Sequence, residues 1–189
     1  MTMRGNRLEK NRRGQGGLIR LGGFGRNSSG ASALEFAIVA IPFLLMLSGI
    51  IAAGLVFAAN MTLENAVAQG ARLIRTGEAQ SQGFDAGRFK SEVCRSLTGP
   101  LSCGGLKLDV RSFSAFGDSE FTNPLDSAGN LKSEFNYQPG VGGQVVIVRG
   151  FYEWDLLAAL PRVIRGLSNM QNGNSLLVAT VAFRNEPFK

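Results

Sequence analysis

The longest apolar run of the chain extends from Phe36 to Ala59 and contains 24 residues without a charge. As a helix rising about 1.5 Å per residue it measures about 36 Å, enough to cross a hydrocarbon core of about 30 Å. A buried helix of a soluble domain fits poorly, because such helices seldom run this long without a polar face. We therefore predict a transmembrane helix.

A cleaved secretory signal is the competing interpretation of this run. The apolar core of a signal peptide is normally only about 7–15 residues long. However, triplets that contain two small residues lie near the end of the run, at Ala53-Gly54-Leu55 and Phe57-Ala58-Ala59. Signal peptidase therefore stays an alternative at this point.

A helical pattern continues beyond the apolar run. Leu63, Val67, Gly70 and Ile74 recur at helical spacing and mark one apolar stripe, and Gly77 is a plausible stop. We expect one long helix from about Ala31 to Thr76, half in the membrane and half packed on a domain. Pro42 removes a backbone hydrogen bond and predicts a kink within the span.

The remaining chain predicts a small α+β domain. A second helix is expected at about 85–97, and a third, interrupted by Pro161, at 156–167. Alternating or β-branched stretches predict three strands, and residues 116–143 predict an irregular loop. We expect an antiparallel, pilin-like sheet against the long helix, with strands at 106–113, 144–154 and 175–184. The aromatic residues of the second strand are expected in the core: Phe151, Tyr152 and Trp154.

Charge gives the span a direction. Residues 1–30 hold seven basic residues and one acidic residue, a net charge of +6 that equals the charge of the whole chain. Basic residues flank the cytoplasmic side of membrane spans. We predict a cytoplasmic leader, residues 1–30; a transmembrane and extended helix, residues 31–77; and a periplasmic domain, residues 78–189. A basic segment next to a span needs no nucleic acid partner to explain it.

The chain has two cysteines and no histidine. The commonest general base and the commonest neutral metal ligand are therefore missing, so we predict no enzyme, no metal site and no cofactor. Outside the cytoplasm, Cys94 and Cys103 are expected to form a disulfide. Carboxylate chemistry stays open in principle, but no nucleophile motif supports it.

The junction before the span contains the most informative residues. Glu35 is the only acidic residue between Glu9 and Glu64, and it lies at the start of the apolar run. It could be a solvated flanking residue, or an acid favoured by the helix dipole. Alternatively, cleavage after Gly30 would free an amine on Ala31, which Glu35 could neutralise one helical turn away.

The residues at this junction resemble a known family. A basic leader, Gly30, four residues and then Glu35-Phe36 opening an apolar helix are similar to the site cut by type IV prepilin peptidases. More narrowly, Gly30 to Leu44 resembles the opening of TadE-like proteins of the tight-adherence (Tad) pilus system. The segments 65–72 and 182–188 also resemble parts of that family.

This resemblance implies a minor pseudopilin of the inner membrane that assembles the Flp pilus and has no catalytic residues. It implies that Gly30 precedes the cut, Ala31 becomes the N-terminus and Glu35 is the assembly carboxylate. The implied partners are a prepilin peptidase, the Flp pilin and other pseudopilins or envelope components. Flp pilins are very short, so the external domain favours an accessory, of TadE or TadF type. An uncleaved, membrane-anchored periplasmic binding or sensing module is the alternative function.

Overall fold

The computed structural model describes residues 28–118, 121–155 and 168–188. Two compact units, residues 1–42 and 43–189, are distinguished within the chain. Most of the predicted leader and the predicted helix at 156–167 lie outside the described residues. The described helices are α1 (Ser28–Arg75), α2 (Glu78–Ser81) and α3 (Ala86–Arg95), and the strands are β1 (Leu106–Phe113), β2 (Val145–Trp154) and β3 (Ser175–Arg184).

Helix α1 confirms the predicted long helix and begins three residues earlier than predicted. It ends before Gly77, whose φ of 79° lies in the left-handed region that glycine adopts without strain. The predicted stripe is buried, since Leu63, Val67 and Ile74 are fully inaccessible to solvent. The second half of α1 is therefore the helical layer of the domain core.

The sheet has the order β1-β2-β3, and both pairs of neighbours are antiparallel. One face of the sheet packs on α1, and Gly150 at the centre of β2 permits the close approach. A Cβ atom at Gly150 would overlap the Cγ2 methyl of Val67. This arrangement confirms the predicted α+β class, with all three aromatic residues of β2 buried.

Replacing Gly150 by Ala is expected to destabilise the domain by about 1–3 kcal/mol, because overpacking a filled interface forces α1 away from the sheet. Chemical denaturation of the full chain in detergent measures this change. Gly104→Ala is the matched control, since a Cβ atom there meets nothing within 4 Å. Equal stability of the two variants would contradict the close approach.

Asp85 caps the N-terminus of helix α3, and its carboxylate accepts a 2.7 Å hydrogen bond from the Arg88 amide. A disulfide joins Cys94 of α3 to Cys103, three residues before β1. The short helix α2 between α1 and α3 was not predicted. Its four residues are too few to produce a periodic pattern in a sequence.

The face of the sheet opposite α1 contains a buried ion pair that the sequence analysis missed. Alternation in β1 predicted a half-buried strand with a single apolar face, but Asp109 is only 1% exposed and lies opposite Arg149 in the register. The Arg149 guanidinium donates to the Asp109 carboxylate at 2.5 Å and to the Thr122 carbonyl at 2.9 Å. The loop between β1 and β2 therefore covers this face and is fixed there by the pair.

Candidate functional site

The predicted cleavage residues lie in the first turn of α1. Gly30 and Ala31 are both exposed, and a Cβ atom at Gly30 would meet nothing within 4 Å. The first four amides of a helix lack intrahelical acceptors, so its first turn opens easily. The Gly30–Ala31 bond therefore lies at an accessible point where little helix must unwind to expose it.

Glu35 lies one helical turn after Ala31. Its side chain is exposed, and it makes no hydrogen bond or ion pair with the residues that the structure describes. Leu34 and Phe36 beside it are 63% and 75% exposed. Residues four apart share one face of a helix, so Glu35 can reach an amine at position 31. Among the described residues, Glu35 is thus a carboxylate without a partner on an apolar helix surface.

An apolar belt surrounds the first half of α1. Its members are large aliphatic, aromatic or sulphur-containing side chains that are all at least 42% exposed: Leu34, Phe36, Ile38, Val39, Ile41, Phe43, Leu44, Met46, Leu47, Ile50, Ile51, Leu55, Phe57 and Met61. Exposed apolar surface this continuous marks a contact with lipid or with other proteins. Within the described residues, Gly30–Arg75 is the one helix long and apolar enough to span a membrane. Pro42 lies inside this helix, and the kink stays a prediction.

The last residues of the chain dock on the far end of α1. The Glu186 amide donates to the Arg75 carbonyl at 2.9 Å, and the Phe188 ring covers Gly77. Asn185 is 2% exposed, and its side-chain amide donates to the carbonyls of Pro139 and Val141 at 3.0 and 3.1 Å. This tail therefore joins the end of α1 to the loop before β2.

Two titratable groups of the domain have perturbed pKa values. Burial raises the pKa of Tyr137 to about 12, and the Asp85 carboxylate adds to the rise. Burial lowers the pKa of Lys90, and the neighbouring Lys107 ammonium adds to the decrease. No three His, Cys, Asp or Glu side chains cluster at metal-binding distance anywhere in 28–118, 121–155 or 168–188. The two shifted groups belong to the packing of α3.

Most of α1, from its exposed first turn into its packed second half, lies in a segment that matches a known sequence family. Residues 30–72 match the model of the family described as TadE-like protein. The resemblance predicted for the start of α1 is confirmed over this segment. It implies a protein associated with the Tad pilus, and proteins of this family are in general not enzymes. No curated protein and no solved structure shows significant similarity to the chain.

Proposed function

We propose that the chain is a minor pseudopilin that assembles the Tad pilus after a prepilin peptidase cuts it between Gly30 and Ala31. The observation that supports this most is the junction itself. The TadE-like match begins at Gly30, the Gly30–Ala31 bond lies in an exposed first turn, and the unpaired Glu35 follows one turn later. A basic leader precedes all three residues.

In this proposal the residues of the junction act in assembly, through charge pairing, and do not catalyse a reaction. Cleavage converts the Ala31 amide nitrogen into a cationic amine at the edge of an apolar helix. An unpaired charge there is costly, and the Glu35 carboxylate of the same chain or of a neighbour can neutralise it. The apolar belt of α1 supplies the surface along which pilin helices pack. We propose the Flp pilin and other pseudopilins as partners.

The same proposal assigns each segment a compartment. Residues 1–30 are the cytoplasmic leader that is removed, residues 31–77 are anchored in the inner membrane, and residues 78–189 form the periplasmic domain. The distribution of basic residues supports this direction. The disulfide supports an oxidising compartment for the domain, because disulfides persist outside the cytoplasm and are rare within it.

Replacing Gly30 by Leu is expected to abolish processing while leaving the fold intact, because the site of the new side chain is open. N-terminal sequencing of the protein recovered from membranes measures this directly. The unmodified chain should begin Ala-Ser-Ala-Leu-Glu, and the Gly30→Leu variant should keep its leader. Ala33→Leu, which introduces the same side chain three residues later at an exposed position of α1, should be cut normally.

Two other N-terminal sequences would contradict this proposal, each in a different way. An intact Met1, found beside an active prepilin peptidase, would leave an uncleaved anchor and favour the binding or sensing module. A chain beginning near Asn60 would mean that signal peptidase removes the apolar run. In that case α1 would not remain in the membrane.

A further inference from the structure

A groove between α1 and β3 lies next to the end of the membrane span. A cavity of about 530 Å³ is lined on the helix side by Ala53, Val56, Phe57 and Asn60, and on the sheet side by Asn169 and Leu176–Val178. Most of these side chains are apolar. Ala53, Val56 and Phe57 belong to the apolar run that forms the span. The start of β3 therefore lies at the same level as the last two turns of the span.

A second cavity fixes the direction of β3 along the helix. It has a volume of about 440 Å³ and lies between Asn65–Arg75 of α1 and Val181–Phe183 of β3. Later residues of β3 thus lie beside later residues of α1, so the strand runs away from the membrane as the helix does. The pair Trp154 and Ser175, where β3 begins, is consequently the row of the sheet nearest the membrane.

Polarity changes at the same level on both elements. On α1 the chain passes from Val56 and Phe57 to Asn60 and Glu64, the first charged residue after the span. On the face of β3 that points away from α1, the chain passes from Leu176 and Val178 to Thr180 and Arg184, with only the small Ala182 between these two polar residues. Val178 is 41% exposed although it is apolar. Two elements far apart in sequence therefore mark one apolar-to-polar boundary.

At the start of β3, the backbone amide and carbonyl on the free edge both have hydrogen-bond partners, as an apolar medium requires. The Leu176 amide donates to Oδ1 of Asn169 at 2.7 Å, and Nδ2 of Asn169 donates to the Leu176 carbonyl at 3.0 Å. These two backbone groups point away from β2, along the free edge of β3. In lipid an unpaired edge amide or carbonyl costs several kcal/mol, whereas in water it costs little. One side chain thus caps the free edge of β3 at its second residue, in the part of the strand nearest the membrane.

From these observations we infer that the base of the domain, formed by Leu176, Val178 and the last turns of the span, is immersed in the membrane interface. Lipid acyl chains occupy the groove between α1 and β3, and Asn60 and Asn169 lie at the level of the headgroups. The domain therefore rests directly on the outer leaflet, and α1 does not hold it away as a stalk. This inference depends on the membrane span of the proposed function, but not on cleavage at Gly30.

Spin-label accessibility of the full chain in phosphatidylcholine–phosphatidylglycerol vesicles tests the inference. Nitroxide labels are placed on Val178→Cys and on Ala182→Cys, two exposed positions on the same face of one strand. Four residues of strand separate them by about 13 Å. Collisions with oxygen, which partitions into lipid, are compared with collisions with a water-soluble nickel chelate. We expect the oxygen-to-nickel ratio to be severalfold higher at position 178 than at position 182.

A third label, on Phe57→Cys in the last turn of the span, separates the possible failures. A lipid-like ratio at position 57 with a water-like ratio at position 178 would overturn the inference and leave the span intact. A water-like ratio at position 57 would remove the span and the inference together. The Cys94–Cys103 disulfide, confirmed by mass after labelling, shows that each variant has folded.

Discussion

Replacing Arg149 by Met is expected to destabilise the α+β domain by about 3–5 kcal/mol, because it leaves the Asp109 carboxylate buried without its main partner. The side chains of Asp109 and Arg149 are 1% and 7% exposed. Arg111 still donates to Asp109 at 3.1 Å, so the loss should fall at the lower end of that range. Typical domains have only about 5–15 kcal/mol of stability, so the variant should unfold readily.

The loss should extend to the loop that covers the outer face of the sheet. Arg149 donates to the carbonyl and the hydroxyl of Thr122, and its guanidinium lies 5.3 Å from the centre of the Phe151 ring. Removing the guanidinium therefore releases the loop as well as the carboxylate. Amide hydrogen exchange at residues 121–123 should increase in the variant.

Denaturation of the full chain in detergent, followed by the fluorescence of Trp154, measures the cost of Arg149→Met. Arg184→Met is the matched control, because Arg184 is exposed on β3. The double variant Asp109→Leu with Arg149→Met should be more stable than Arg149→Met alone, since it leaves no buried charge unpaired. A loss for Arg149→Met no larger than that for Arg184→Met would show that the pair contributes little.

The elements that sequence predicted well are those whose pattern is local and repeated. The limits of β1 and β3 were predicted without error, and β2 begins one residue later than predicted. β-Branched and aromatic residues fill these stretches, and glycine or polar residues bound them. The stripe from Leu63 to Ile74 is equally local, because one helical period places all of its members on one face.

The features that sequence could not predict depend on residues far apart in the chain. Asp109 and Arg149 are separated by 40 positions, and nothing in either strand's alternation indicates that a loop covers them. Docking of Asn185 on the carbonyls of Pro139 and Val141 is equally non-local. Predicting the groove beside Phe57 would require the direction of β3 relative to α1, and this direction is known only from the three-dimensional structure. At the candidate site, the sequence predicted the roles of Gly30, Ala31 and Glu35, which stay predictions, but not the exposure of these residues on α1.

Replacing Glu35 by Gln is expected to leave processing intact and to reduce pilus assembly at least about tenfold. The amide keeps the size of the side chain but cannot neutralise the amine that the proposed cleavage would create on Ala31. A charge in the membrane costs about 2.5–3.5 kcal/mol at a helix centre and less near the interface. Each 1.4 kcal/mol corresponds to about a tenfold change in an equilibrium constant. Even half of that cost would therefore remove most assembled complexes.

Two measurements on the same membranes distinguish an effect on cleavage from an effect on assembly. N-terminal sequencing should give the same mature terminus for Glu35→Gln as for the unmodified chain, and co-purification of the Flp pilin should fall. Glu64→Gln is the matched control, since Glu64 is an exposed acid of α1 that accepts a hydrogen bond from Asn60 beyond the span. If co-purification is equal in both variants, Glu35 is a solvated flanking residue and the apolar belt alone carries assembly. If Glu35→Gln is not cut, the carboxylate acts in recognition by the peptidase, before any pairing with the new amine.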